Sequence, residues 1–202
     1  FYNMEYTSKD QIPRLTPTGF QIVKCPEKTW GIIQDAYRLL KPTETTEHFE
    51  GKDYYIKGGD TELMDFGQIS NIRDEIHNQL WDLHQDWCGK EIEPSYIYGI
   101  RSYKKGATLK LHTDVVTTHH IASIIIVDKN LKCGCKDKEL GSDWALDFQT
   151  HDGEWHKVYA EVGDMIMYES AICKHGRAEP LNGDFYDNLF IHYKLANYVH
   201  QS

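Results

Sequence analysis

No stretch of this sequence is long and apolar enough to cross a membrane as a helix. The longest apolar-rich run, Ile121–Val127, is interrupted by Ser123 and falls far short of the ~20 residues a bilayer demands. Phe1–Asp10 has neither the charged head nor the apolar centre of a secretory leader, so no targeting segment is expected there. A basic excess is also missing: 22 Lys and Arg face 31 Asp and Glu, for a formal net charge of -9. That sign disfavours a polyanion, so neither nucleic acid nor a membrane surface is an expected partner. The densest basic patch, Lys104-Lys105 with Lys110, reads as a solvated turn. Cysteine is sparse, odd in number and irregular in spacing (Cys25, Cys88, Cys133, Cys135, Cys173), which excludes a disulfide framework. Cys133-Gly-Cys135 lacks the gap of a zinc knuckle and has no second pair after it. A reducing compartment, the cytoplasm by preference, fits this usage.

What remains is a globular composition, 40% hydrophobic and 12% aromatic, in a chain of 202 residues. That length suits one domain, and neither an internal repeat nor a linker divides it. In the first third, Pro26 suits a helix start and Trp30, Ile33, Tyr37 and Leu40 recur at helical gaps before Pro42 ends the pattern. Residues 43–67 are polar and contain Gly51 and Gly58-Gly59, which predicts a long loop. A second helix is expected from Ile69, Ile72, Ile76, Leu80, Leu83 and Trp87, stopped at Gly89.

From about residue 94 the period changes to two. Strands are predicted at Ser95–Tyr103, Thr108–His112, Ile121–Asp128, Trp144–Gln149, Trp155–Ala160, Asp164–Glu169 and Phe185–Lys194. The turns between them carry glycine: Lys105-Gly106, Asp152-Gly153, Val162-Gly163-Asp164 and Asn182-Gly183-Asp184. The expected architecture is α+β: a β-sandwich core over 94–195, with a helical support region over 1–93 packed on one sheet.

Two histidines and one carboxylate on one side of a metal leave its other positions open, the arrangement of non-haem Fe(II) oxygenases. His-x-acid on a strand supplies two such ligands, because residues i and i+2 share a face. The spacing occurs at His48-Phe49-Glu50, His84-Gln85-Asp86 and His112-Thr113-Asp114. His84 and Asp86 fall in the second predicted helix, where i and i+2 diverge. His48 and Glu50 fall in the polar loop. Only His112 and Asp114 end a strand-like run, and His175, after the strand Asp164–Glu169, is the natural third ligand.

Tyr103–Asp114, Ile121–Asp128, the Val162-Gly163-Asp164 turn and His175–Tyr193 together resemble the catalytic core of the prolyl 4-hydroxylase-like branch of the Fe(II)/2-oxoglutarate-dependent oxygenases. The resemblance covers roughly residues 94–195. It implies a double-stranded β-helix (jelly-roll) and a dioxygenase that uses Fe(II), 2-oxoglutarate and O2, with ascorbate as an optional reductant. The implied reaction hydroxylates a peptidyl or free amino-acid-like substrate and releases succinate and CO2. Asp114 favours hydroxylation over halogenation, since related halogenases lack a carboxylate at that position.

By the same resemblance Tyr103, nine positions before His112, contacts the distal carboxylate of 2-oxoglutarate, and Ser123 contributes a hydroxyl from the next strand. The family's cation, about ten positions after the distal histidine, is replaced here by Phe185. A buried carboxylate needs a cation or several hydrogen bonds, so a substitute is expected. Arg177 is the first candidate, then Arg101, on the strand face of Tyr103, then Lys110, on the face of His112. Arg101 and Lys110 are alternatively substrate contacts. Tyr98, Trp144, Trp155 and Tyr186 are aromatic candidates for the rim, Trp144 among them for substrate. Two rival readings share the fold: a cupin-like metal enzyme without 2-oxoglutarate, and a non-catalytic jelly-roll binding domain.

Overall fold

A computed structural model describes residues 8–47, 55–131 and 143–199. In chain order the elements are β1 (Phe20–Lys24), α1 (Glu27–Leu40), β2 (Thr45–Thr46), β3 (Ile56–Lys57), β4 (Thr61–Asp65), α2 (Ile72–Cys88), β5 (Ile92–Pro94), β6 (Gly99–Lys104), β7 (Thr108–His112), β8 (Ile121–Asn130), β9 (Leu146–Gln149), β10 (Trp155–Val158), β11 (Asp164–Tyr168), β12 (His175–Arg177) and β13 (Phe185–Leu195). The larger sheet runs β1-β11-β8-β13-β6-β4-β2, with β5 also paired to β13. The smaller runs β10-β9-β12-β7-β3. Every pairing is antiparallel, as in a jelly-roll.

The two-residue period divides the core. On the outer face of the larger sheet, Ile125, Val127, Met165, Met167, Leu189 and Ile191 pack with Ile33, Ala36 and Leu40 of α1 and Ile76 and Leu80 of α2. On its inner face, Ala122, Ile124, Ile126, Ile166 and Tyr168 meet Leu146 and Phe148 of the smaller sheet. β8 is therefore covered on both sides, which is why its sequence reads as a nearly unbroken apolar run. Each fully buried isoleucine of that run contributes about 1.5–3 kcal/mol relative to exposure. α2 closes as expected: Gly89 takes a left-handed φ of 64° and donates its N–H to Gln85 O at 2.8 Å.

Two expectations need correction. The segment 43–67 is not one loop: its described residues hold β2 and β4, which extend the larger sheet, and β3, which extends the smaller. Two-residue strands carry no readable periodicity, and pairing to a neighbour forms them. Nor is 1–93 only a helical support, because β1, β2, β4 and β5 belong to the larger sheet and β3 to the smaller. The jelly-roll thus draws strands from both sides of residue 94. His48, Glu50, Cys133 and Cys135 lie outside the described residues.

Candidate metal centre

His112, the last residue of β7, is the antiparallel partner of His175, the first of β12. Their ring centroids are 4.6 Å apart. Asp114 lies just beyond β7, held by its N–H donating to Ser170 O at 2.9 Å. One ligand atom from each residue falls within a 4.8 Å group. His112 Nε2 and His175 Nε2 are 3.3 and 3.5 Å from Asp114 Oδ1.

The register between these strands is broken, and the break matters. His175 pairs with His112, but Arg177 pairs with Leu109, so Lys110 and Leu111 together oppose Gly176. This is a β-bulge, and it reverses the parity of β7. Leu109 and His112 both face inward, while Lys110 and Leu111 are exposed. Lys110 therefore does not share the face of His112 as simple alternation predicts. Gly176 is dictated by the same feature: a Cβ there would sit 2.7 Å from Leu109 O and 2.8 Å from Lys110 O.

The donor set fits a cation. His112 Nδ1 contacts Lys110 O at 2.7 Å and His175 Nδ1 contacts Cys173 O at 3.0 Å. A carbonyl only accepts, so each Nδ1 carries a proton, the tautomer in which a neutral ring presents its Nε2 lone pair to a metal. Those lone pairs converge on a carboxylate, an arrangement that repels unless a cation lies between. Asp114 Oδ2 is also buried with no hydrogen-bond partner. A divalent ion bound by two imidazoles and one carboxylate satisfies all three groups.

A cavity of about 320 Å³ opens at this cluster and is lined by Tyr55, Tyr98, Arg101, Tyr103, Tyr168 and Phe190 besides the three candidate ligands. Tyr55 lies over His112 at 4.2 Å between centroids, and Tyr168 meets His175 edge-on at 4.7 Å. His192, absent from the sequence reading, also lines the cavity, with Nε2 3.7 Å from Asp114 Oδ2. Burial pushes it down to about 4, so it is neutral. The signal for it was the alternation Tyr186, Asn188, Phe190, His192 along β13.

The other sequence candidates separate clearly. Tyr103 is buried at the cavity floor, where burial raises its hydroxyl while Arg101 and Arg177 pull it down, for a net rise. Arg101 lines the cavity but is clamped in two-point fashion by Glu47, at 2.6 and 2.7 Å. Arg177 is 2% exposed, sandwiched between Trp144 and Tyr186 at 4.5 and 4.8 Å, and donates to Trp144 O. No carboxylate of the described residues pairs with it. Trp144 packs behind it and donates to Glu179 O, away from the cavity, so its expected substrate role is not supported. Ser123 does not face the cavity at all: it lies on the helix side of β8, hydrogen-bonded to His84 Nε2. Phe185 faces Lys41, whose Nζ sits 4.7 Å from its ring, and the inward residue is Tyr186. Tyr98 is exposed at the mouth, stacked on Tyr96 at 5.6 Å, whereas Trp155 is exposed on β10 and does not line the cavity.

No family profile and no curated protein matches the sequence. Solved structures do match. A prolyl-4-hydroxylase from Pseudomonas putida aligns with a TM-score of 0.56 at 13% identity, covering 88% of this chain and 93% of that one. A prolyl hydroxylase from Trichoplax adhaerens, bound to a peptide fragment of hypoxia inducible factor, gives 0.60 at 9%, covering 87% and 83%. HygX from Streptomyces hygroscopicus, with nickel, 2-oxoglutarate and hygromycin B bound, gives 0.59 at 11%, covering 89% and 84%. At these identities the shared feature is the fold.

Proposed function

We propose that this protein is an Fe(II)- and 2-oxoglutarate-dependent dioxygenase that hydroxylates a peptidyl or free amino-acid-like substrate. The observation that carries the reading is the convergence of His112, Asp114 and His175 around a buried, unpartnered carboxylate oxygen, on a cavity within a jelly-roll. Bound there, Fe(II) with 2-oxoglutarate and O2 supplies the oxidation, and succinate and CO2 are the co-products.

The chain's own part is binding, orientation and exclusion of water. The carbonyls of Lys110 and Cys173 fix the tautomers of His112 and His175, and Ser170 O fixes the backbone of Asp114. Tyr103 donates its O–H to the distal carboxylate of the cosubstrate, and Arg177 supplies the charge. The choice of Arg177 over Arg101 rests on charge balance. Arg101 is neutralised by Glu47, whereas Arg177, beneath the lining residues of the cavity, is a buried guanidinium with no acid paired to it among the described residues, which is costly until an anion arrives. Arg177 is also two residues, ~7 Å of strand, beyond His175, on the inward side. The aromatic walls Tyr98 and Phe190 keep the cavity apolar above that floor.

The substrate class is supported by the exposed aromatic mouth, Tyr55 and Tyr98, and by the net charge of -9, which suits a neutral or cationic substrate. A succinate-release screen over amino acids and peptides tests the proposal. Purified protein with Fe(II) is expected to convert 2-oxoglutarate to succinate, and His112→Ala to abolish turnover. A folded, metal-loaded protein that releases no succinate across the set contradicts it.

A further inference from the structure

Asn188 is fully buried near the middle of β13, and both atoms of its amide, Nδ2 and Oδ1, lack a hydrogen-bond partner. Leaving a buried donor or acceptor unmet costs about 1–3 kcal/mol per group, so such an amide points to something that meets it. Its direction follows from strand parity. Asn188 shares a face with Phe190 and His192, both of which line the metal cavity. Across β6 its partner is Arg101, another cavity residue, and across β8 it is Ile126, a member of the inner core with Tyr103 and Tyr186. Along β13 the inward side chains therefore run His192 beside Asp114, then Phe190, then Asn188, then Tyr186 against Arg177. Asn188 stands one inward step from the level of Tyr103 and Arg177, on the metal side.

We propose that Asn188, fully buried beside the lining residues Arg101 and Phe190 but not itself part of the cavity wall, meets a ligand at the base of this cavity and donates its Nδ2–H to the distal carboxylate that Tyr103 and Arg177 hold. This rests on the oxygenase reading and deepens it. A carboxylate is the matching chemistry because Nδ2 donates, Tyr103 donates, and the unbalanced charge nearby is Arg177. A bridging water suits the remaining acceptor, Oδ1. The anchor of the cosubstrate is thus spread over three strands, β6, β12 and β13, instead of resting on a cation at position 185.

The test is calorimetric binding to the Mn(II)-loaded protein, with 2-oxoglutarate and with 2-oxobutyrate, which keeps the 2-oxo acid end and lacks the distal carboxylate. In Asn188→Leu, 2-oxoglutarate is expected to bind about tenfold more weakly. Its 2-oxobutyrate and Mn(II) affinities stay within about twofold of wild type. Asn188→Val carries the same expectation should leucine not be accommodated. Unchanged 2-oxoglutarate affinity, or equal weakening of both acids, overturns the assignment while leaving the oxygenase reading intact. Failure of the wild-type protein to bind either acid overturns that reading and the assignment with it.

Discussion

Gly176 lies between a candidate metal ligand and the candidate anion anchor, opposite the bulge that sets the parity of β7. Adding one methyl group there tests whether that bulge shapes the site. In Gly176→Ala the new Cβ would meet Leu109 O at 2.7 Å, Lys110 O at 2.8 Å and Leu111 Cα at 3.0 Å. All three are backbone atoms of the bulged strand, so no side chain can swing aside, and β7 and β12 must separate by several tenths of an ångström. Overpacking of this kind costs about 1–3 kcal/mol. For a chain of this length, each kcal/mol lowers Tm by roughly 2–4 °C. The displaced strands carry His112 and His175, so Mn(II) affinity is expected to fall together with stability. Urea denaturation and Mn(II) titration of the same preparation measure both. A variant within about 0.5 kcal/mol of wild type, with unaltered Mn(II) affinity, refutes the role given to the bulge.

Two further predictions follow from buried polar groups. The Glu169 carboxylate is fully buried and accepts from Leu15 N–H, Thr16 N–H, the Thr16 hydroxyl and His151 Nε2, tying residues 15–16 to the loop that bears Ser170 and Cys173. Glu169→Ala strands these donors and is expected to cost about 3–5 kcal/mol in urea unfolding and to speed tryptic cleavage after Arg14; a loss below about 1 kcal/mol contradicts the clamp. Burial pushes His84 and His120 down to about 4 each, against ~6.5 in the unfolded chain. Between those values the unfolded state binds the extra protons, so their contribution is complete above about pH 6.5 and declines as pH falls, levelling off near 4. At roughly 3 kcal/mol apiece at most, this predicts a urea midpoint that drops clearly from pH 7 to pH 5, and an unchanged midpoint contradicts it.

Much of this architecture was legible because it rests on local pattern. The stripe Ile72, Ile76, Leu80 marks α2, and the apolar run of β8 marks a strand with a packed face on each side. The candidate ligands were legible for a different reason: strand context separated His112-x-Asp114 from His84-x-Asp86, and His84 is indeed buried in α2. What escaped depends on register. Ser123 sits among inward and outward neighbours of similar hydrophobicity, so nothing local says that its hydroxyl meets His84 on the helix side. Lys110 was misjudged because a bulge inserts one residue that alternation does not foresee. The strands β2 and β3 exist only through their partners β4 and β7. Asn188 could not be singled out at all, since an unmet amide becomes visible only when its surroundings are known.

The central claim is that His112, Asp114 and His175 hold an Fe(II) to which 2-oxoglutarate adds as a chelating ligand. Its most direct test is the absorption spectrum of the anaerobic protein titrated first with Fe(II) and then with 2-oxoglutarate. A weak visible charge-transfer band is expected on adding 2-oxoglutarate to wild type, and none in His175→Ala. A folded wild-type protein that binds Fe(II) yet gives no such band at saturating 2-oxoglutarate contradicts the claim.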